Sequence, residues 1–286
     1  MQLIRFEDPH DYYATVAPFL YQSEARYNLI LSILHSLTSG NDYQDHPPYM
    51  ALVENKDQPI MLAVRTPPYG LLLTEITNED AIRLIVEDVK QVTPTLPSVN
   101  APKTPELETF AQSWGESSGQ AWEIGMEQRI YELTEVKHPQ NIPGTMRRAQ
   151  SEDHERLTDW FMAFQSEALN EEVDRDKTKV AIERFITAKP DVRGLAVWED
   201  GGQVVSMAGY TGPTTNGIRV IAVYTPPEHR RKGYASACVA ALSQQLLDNG
   251  RKFCFLYTDL GNPTSNRIYQ EMGYAPVCDV TQYSFK

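Results

Sequence analysis

The segment Ile218-Arg-Val-Ile-Ala-Val-Tyr-Thr-Pro-Pro-Glu-His-Arg-Arg-Lys-Gly-Tyr-Ala-Ser-Ala237 constrains this chain more than any other. It opens as an apolar, β-branched run, which reads as a buried strand. Two prolines stop that strand and a basic stretch follows. Beyond Gly233, Ala235, Val239, Leu242 and Leu246 recur at helical spacing, so one helix face packs on a sheet. A strand, a basic glycine-containing turn and a helix together make an anion site. The first N–H groups of a helix have no internal partner, and the helix dipole adds positive charge there. Gly233 lets the backbone approach an anion with no Cβ in the way.

Composition sharpens this reading. The formal net charge is −12, so the field of the whole chain repels phosphate polymers, and no nucleic-acid partner is expected. Against that background Arg230, Arg231 and Lys232 form a local basic patch suited to a phosphorylated small molecule. The phosphate loops GxxxxGK[ST] and GxGxxG are both absent. The three cysteines, Cys238, Cys254 and Cys278, show no CxxC spacing, so no metal is expected. Free thiols suit a reducing cytoplasm. The start, MQLIRFEDPHDYY, lacks a secretory pattern, and no apolar run approaches the roughly 18 residues of a membrane span. A cytoplasmic location without membrane association is the expectation.

Proline and glycine divide the chain. Lys137-His-Pro-Gln-Asn-Ile-Pro-Gly144 reads as a linker, giving domains at 1–136 and 146–286 joined by 137–145. In the first half, helices are expected over Asp11–Leu20 and Glu24–Leu37. A hairpin follows at Tyr49–Glu54 and Pro59–Arg65, then a strand at Leu71–Glu75. A helix reaches about Val92, a second spans Glu106–Ser117, and a strand pair covers Trp122–Thr134. In the second half, helices span Glu152–Leu169 and Asp176–Ala188, and a hairpin joins Leu195–Trp198 to Val204–Thr211. Then come strand Ile218–Tyr224, helix Tyr234–Asn249, strand Phe253–Thr258, a short helix at Ser265–Met272 and a strand ending at about Gln282. The order repeats, and Thr66-Pro-Pro68 echoes Thr225-Pro-Pro227. The fold class is α+β, with mixed sheets flanked by helices and two tandem domains of one kind.

Two motifs carry a family resemblance. Arg230-x-x-Gly233-x-Ala235 matches the signature R/Q-x-x-G-x-G/A. Further on, after the apolar strand at Phe253–Thr258, Asn262-Pro-Thr-Ser-Asn266-Arg-Ile-Tyr269-Gln-Glu-Met-Gly273-Tyr274 matches N-x-x-[SA]-N-x-x-Y-x-x-x-G-[FY]. Both, in this order and setting, resemble the GNAT (GCN5-related) N-acetyltransferases over about residues 146–286. The first half resembles a degenerate copy.

The resemblance implies acetyl-CoA as cofactor and acyl transfer to a primary amine by direct attack. It implies that Arg230, Arg231, Lys232, Gly233, Tyr234, Ala235 and Ser236 hold the pyrophosphate. Ala222, Val223 and Tyr224 would pair with the pantetheine arm through their backbone, and Asn262 and Asn266 would lie along it, Asn262 the more direct. Tyr269 stands where the family supplies a proton to the sulfur; its other reading is packing beneath the cofactor. The strand Ile218–Tyr224 carries no carboxylate, unlike many relatives. Glu167, Glu171 and Glu172 follow the first helix of this half, where relatives bind acceptor, and either orient an amine or form a solvated loop. His46, His138, His154 and His229 show no partner in the sequence and receive no role. No loop like Arg230–Ala235 appears in residues 1–136, where Arg65-Thr-Pro-Pro-Tyr-Gly70 runs directly into Leu71-Leu-Leu-Thr74, so the first half is expected to be non-catalytic. The acceptor is a small-molecule amine or a peptide. A homodimer, a protein N-terminus as acceptor, and acyl-CoA binding without turnover stay open.

Overall fold

In a computed structural model the described residues are 1–40, 47–169 and 174–286; His46 lies outside them. The chain forms two compact units. Unit 1 comprises Met1–Ile130, Thr258–Gly261 and Val277–Lys286, and unit 2 comprises Tyr131–Tyr257 and Asn262–Pro276. The division therefore falls elsewhere than at 137–145. It also gives the last ten residues to the N-terminal unit, because their apolar side chains pack there.

Unit 1 contains strands β1 (Gln2–Arg5), β2 (Tyr49–Asn55), β3 (Gln58–Arg65), β4 (Leu71–Leu73), β5 (Ser98–Pro102) and most of β6 (Trp122–Leu133). Its helices are α1 (Pro9–Leu20), α2 (Asn28–Thr38), α3 (Glu79–Val92) and α4 (Pro105–Ser118). Unit 2 contains β7 (Thr145–Arg148), α5 (His154–Phe164), α6 (Arg175–Thr187), β8 (Gly194–Asp200), β9 (Gln203–Thr211), β10 (Gly217–Tyr224), α7 (Tyr234–Asp248), β11 (Phe253–Asp259) and α8 (Pro263–Glu271). The closing strand β12 (Ala275–Phe285) lies mainly in unit 1. Strand order is β1-β2-β3-β4-β5-β12-β6 in unit 1 and β11-β10-β9-β8-β7 in unit 2.

The two units use the same pairings. β1–β2–β3–β4 are antiparallel and β4–β5 parallel; β7–β8–β9–β10 are antiparallel and β10–β11 parallel. Even a register shift recurs, at Val53/Glu54 in one hairpin and Trp198/Glu199 in the other.

Strand alternation sends side chains to two helical layers. In unit 1, Ala51, Val53, Met61 and Ala63 pack with α3 and α4. Their neighbours Met50, Leu52, Leu62 and Val64 pack with α1 and α2. In unit 2, Ala196, Val205, Ala208, Ile218 and Val220 pack with α7, whereas Leu195, Val197, Val204 and Met207 face α5 and α6. α7 is buried nearly all round, through Tyr234, Ala237, Cys238, Val239, Ala240, Leu242, Ser243 and Leu246.

Several expectations need correction. Trp122–Leu133 is one strand, not a pair. Gly125 sits within it where a Cβ would run into the Ser284 side chain. The helix expected over Glu152–Leu169 is α-helical only to Phe164 and continues as a π turn over Gln165–Leu169. The strands β1, β5 and β7 were not expected. Each is short, and β5 (Ser-Val-Asn-Ala-Pro) carries little apolar pattern.

Tyr283 and Phe285 of β12 belong to the α3/α4 core of unit 1, and Phe285 lies edge-on to the fully buried Trp114, 6.3 Å between ring centroids. Phe285→Ala should therefore lower stability by about 3 kcal/mol. Urea unfolding of the full chain measures it. A change within about 0.5 kcal/mol would mean that the C-terminal strand is not part of that core.

Candidate functional site

β10 is the strand around which unit 2 changes shape. Its parallel ladder with β11 consists of Gly217, Ile218 and Arg219 against Phe253, Cys254 and Phe255. Beyond Arg219 the two strands part. On its other edge β10 follows β9 through Ile221↔Gly209, then resumes at Tyr224↔Met207. Ala222 and Val223 thus stand against a single residue of β9, a bulge, and Ala222 takes a left-handed φ of 49°. The buried Ser206 Oγ fastens the far side of the bulge by donating to the Tyr224 carbonyl at 3.1 Å, and it lies 2.8 Å from Thr225 Oγ1. The backbone of Ala222, Val223 and Tyr224 is left beside an opening fork.

The loop after this strand ends on a helix with no cap. Pro226 and Pro227 begin a short turn, closed by His229 N–H to the Pro226 carbonyl at 2.9 Å. Arg231 has φ 63° and Gly233 φ 81°. A Cβ on Gly233 would meet the Ile142 side chain. The first intrahelical bond of α7 runs from Ala237 N–H to the Gly233 carbonyl. The N–H groups of Tyr234, Ala235 and Ser236 precede it, no side chain caps them, and the first turn holds no acid. The contrast with other helices is sharp. Asn78 caps α3, with Glu79 and Asp80 in its first turn, and Asp174 caps α6. Arg231 and Lys232 are exposed and make no ion pair among the described residues. A bare helix N-terminus preceded by two exposed cations attracts an anion. Tyr234 Oη donates to Asp200 at 2.6 Å, which pushes its phenol up and ties the helix start to the β8–β9 turn.

Arg230 faces elsewhere. Its Nε donates to the Thr225 carbonyl at 2.8 Å and its Nη2 reaches Glu167 Oε2 at 2.6 Å, with the guanidinium 5.6 Å from the Tyr224 ring centroid. Tyr224 Oη donates to the other Glu167 oxygen at 3.2 Å, and burial, then Glu167, raises its pKa. Trp160 lies against Tyr224 at 6.2 Å. Glu167 is thus brought onto the loop by the π turn. Glu171 and Glu172 lie outside the described residues.

The second motif forms α8. Asn262 Oδ1 accepts from Ser265 N–H at 3.0 Å and so caps the helix. Asn266 Nδ2 donates to the Asn262 carbonyl at 2.7 Å, and its Oδ1 accepts from Tyr131 Oη at 3.0 Å. At the other end Gly273, φ 103°, closes the helix. Its N–H binds the Gln270 carbonyl, and Tyr274 N–H binds that of Tyr269. The Tyr269 ring sits edge-on to Tyr274 at 5.8 Å, and burial pushes its phenol up to about 12. Through the neutral range it stays protonated, a donor and not a base.

The remaining candidates take structural places. Cys238 and Cys254 are fully buried and burial pushes both thiols up to about 12, which suits neither nucleophile nor ligand. No group of His, Cys, Asp and Glu among the described residues suits a metal. His154 Nε2 lies 3.0 Å from the Lys179 carbonyl. The motifs gave no sign of Ser206, Asp200, Trp160 or Ile142. Their roles depend on strands and turns distant in sequence.

Residues 154–274 match the model of the Acetyltransferase (GNAT) family. No curated protein matches the chain. Solved structures match nearly its whole length. A Drosophila protein of 13% identity superposes with a TM-score of 0.68, over 99% of this chain and 98% of that one. A GCN5-related N-acetyltransferase from Sphaerobacter thermophilus gives 0.63 at 15% identity, over 99% and 95%. One from Kribbella flavida gives 0.60 at 15%, over 91% and 94%. Identities this low establish a shared fold. Among the described residues no helix is long and apolar enough to cross a membrane.

Gly233→Ala should lose about 1–2 kcal/mol from its left-handed backbone and its collision with Ile142. Pairing it with Ile142→Ala in a double-mutant cycle should return part of that loss. Strict additivity of the two changes in urea unfolding would show that they do not touch.

Proposed function

We propose that this chain, whose residues 154–274 form a domain of the GNAT acetyltransferase family, carries an acetyl group from acetyl-CoA to the primary amine of a small molecule or peptide. The observation that carries this reading is the uncapped N-terminus of α7, set behind a basic loop and beside the fork between β10 and β11. Every element there fits a pyrophosphate ester. The amides of Arg231 to Ser236 are directed by Gly233, Arg231 and Lys232 make no ion pair among the described residues, and a Cβ at Gly233 has no room.

When bound, acetyl-CoA supplies an acyl group activated as a thioester. The backbone of Ala222, Val223 and Tyr224 offers strand-like hydrogen bonds to its arm. Asn262 spends its Oδ1 on the α8 cap, so its Nδ2 is the atom available to that arm. Asn266 serves by holding the turn. Tyr269 Oη donates its proton to the departing sulfur, an acid kept loaded by burial. β10 offers no carboxylate, so Glu167, bonded to Tyr224 at the end of that strand, orients the amine or leads its proton to water. Unit 1 has the same strand pairings, yet α3 is capped by Asn78 and carries two acids in its first turn. We assign it no acyl-CoA of its own.

Calorimetric titration of acetyl-CoA into the wild type and into the Arg231→Glu/Gly233→Asp variant tests the assignment. Tight binding to the first and none to the second is expected. No binding to the wild type overturns it. With an amine found by library screening, Tyr269→Phe should lower kcat by about 100-fold while acetyl-CoA affinity holds. An unchanged kcat removes the acid role, and absence of turnover in the wild type leaves a binding module.

A further inference from the structure

Arg219 lies on the strand that leads into the proposed site, and the proposed acyl transfer does not use it. It is the last residue of β10 paired with β11, with Phe255 opposite on that strand and Thr211 opposite on β9. The fork opens immediately beyond it. Its neighbours Ile218 and Val220 pack in the α7 cluster, so strand alternation turns Arg219 to the opposite face, which α5 and α6 cover. Ile221, Ala222 and Tyr224 join the α5/α6 cluster on that side, and Glu167 meets Tyr224 there.

Several guanidiniums of the chain meet a carboxylate, whereas others, such as Arg65 on the Tyr69 carbonyl, do not. Arg26 faces Glu75, Arg129 faces Asp279, and Arg147 faces Asp153 and Glu199. Arg219 has no carboxylate among the described residues. Its partner is Tyr257, whose ring centroid is 6.0 Å from the guanidinium carbon. Burial pushes its pKa down, and only Tyr257 opposes that. A partly buried cation that meets no carboxylate among the described residues loses part of its hydration with little in return. An anionic ligand supplies the return: a planar carboxylate takes the guanidinium fork through two hydrogen bonds.

We propose that Arg219 is the receptor for a carboxylate on the acceptor, so that the acceptor belongs to the amino-acid class: a free amino acid or a compound carrying both an amine and a carboxylate. The inference rests on the acyl-transfer reading in one respect. The arm of acetyl-CoA enters at the loop, the open end of the fork, and Arg219 stands at its closed end, where the acyl group and the acceptor meet. Tyr257 and Thr211 flank the anion, and Phe255 closes the floor.

The test uses the full chain and paired probes, a panel of L-amino acids and their carboxamides. Each pair is titrated calorimetrically with and without saturating acetyl-CoA and is assayed by thiol release. At least one acid should exceed its carboxamide by about 100-fold in affinity or kcat/KM, and Arg219→Gln should collapse that ratio. Acetyl-CoA affinity should stay at the wild-type value. Thermal unfolding separates this role from a structural one. Arg219→Met, which removes an uncompensated cation, should raise Tm by about 2–4 °C, whereas an arginine needed for packing on Tyr257 gives a fall. Acids and amides handled alike, or a preference that survives Arg219→Gln, overturns the carboxylate site even if amines are acetylated. An acid preference in a protein that fails to bind acetyl-CoA keeps the site and overturns the acyl-transfer reading instead.

Discussion

Backbone hydrogen bonds that β10 fails to make with β11 govern much of unit 2. A parallel ladder that continued past Arg219 would consume the donors and acceptors of Ala222 to Tyr224 and close the sheet. Instead the bulge opposite β9 re-aims the strand, and the cost of a left-handed φ at Ala222 is met by surrounding structure: the Ser206 hydroxyl on the Tyr224 carbonyl, and the packing of Ala222 and Tyr224 against α5 and α6. The opening then places an irregular strand end, a basic loop and a bare helix start in succession. Each depends on the one before it. The loop departs where the strand stops, and the helix axis is fixed by burial of α7 against β8, β9 and β10.

Comparison of the helix starts shows how one fold assigns different chemistry to matching places. α3 and α7 both follow the fourth strand of an antiparallel set and both cover the same kind of sheet face. In α3 the polar cap and two acids satisfy the orphan N–H groups internally. In α7 glycine takes the cap position, no side chain answers the amides, and the nearest charges are positive. The difference lies in a few side chains at one turn, and the hydrophobic layers that support the two helices are laid out alike.

The contact among Glu167, Arg230 and Tyr224 joins the loop to the face that bears α5 and α6. A half-exposed ion pair is worth little by itself. Here it is bidentate in effect, since one carboxylate takes a guanidinium on one oxygen and a phenol on the other. It draws Arg230 away from the helix start and leaves Arg231 and Lys232 as the cations beside the amides.

Read alone, the sequence determined the strand–loop–helix at 218–237, the helix at 263–271 with its closing glycine, both hairpins and most helices, because these follow from local rules: apolar period, proline stops and the left-handed tolerance of glycine. It also determined that the first half lacks a basic loop. The tertiary structure decided what those rules do not reach. Trp122–Leu133 stays one strand because Gly125 answers a close approach by Ser284, and the C-terminal residues join unit 1 because Tyr283 and Phe285 find its core. Asn262 and Asn266 bind the α8 turn through hydrogen bonds that depend on the fold of α8 and on Tyr131. Glu167 reaches Arg230 through a π turn, and Arg219 meets Tyr257 rather than a carboxylate among the described residues because of what each neighbouring strand brings to its face. Burial and charge pairing are sums over partners distant along the chain, and a sequence shows its residues without showing which of them meet.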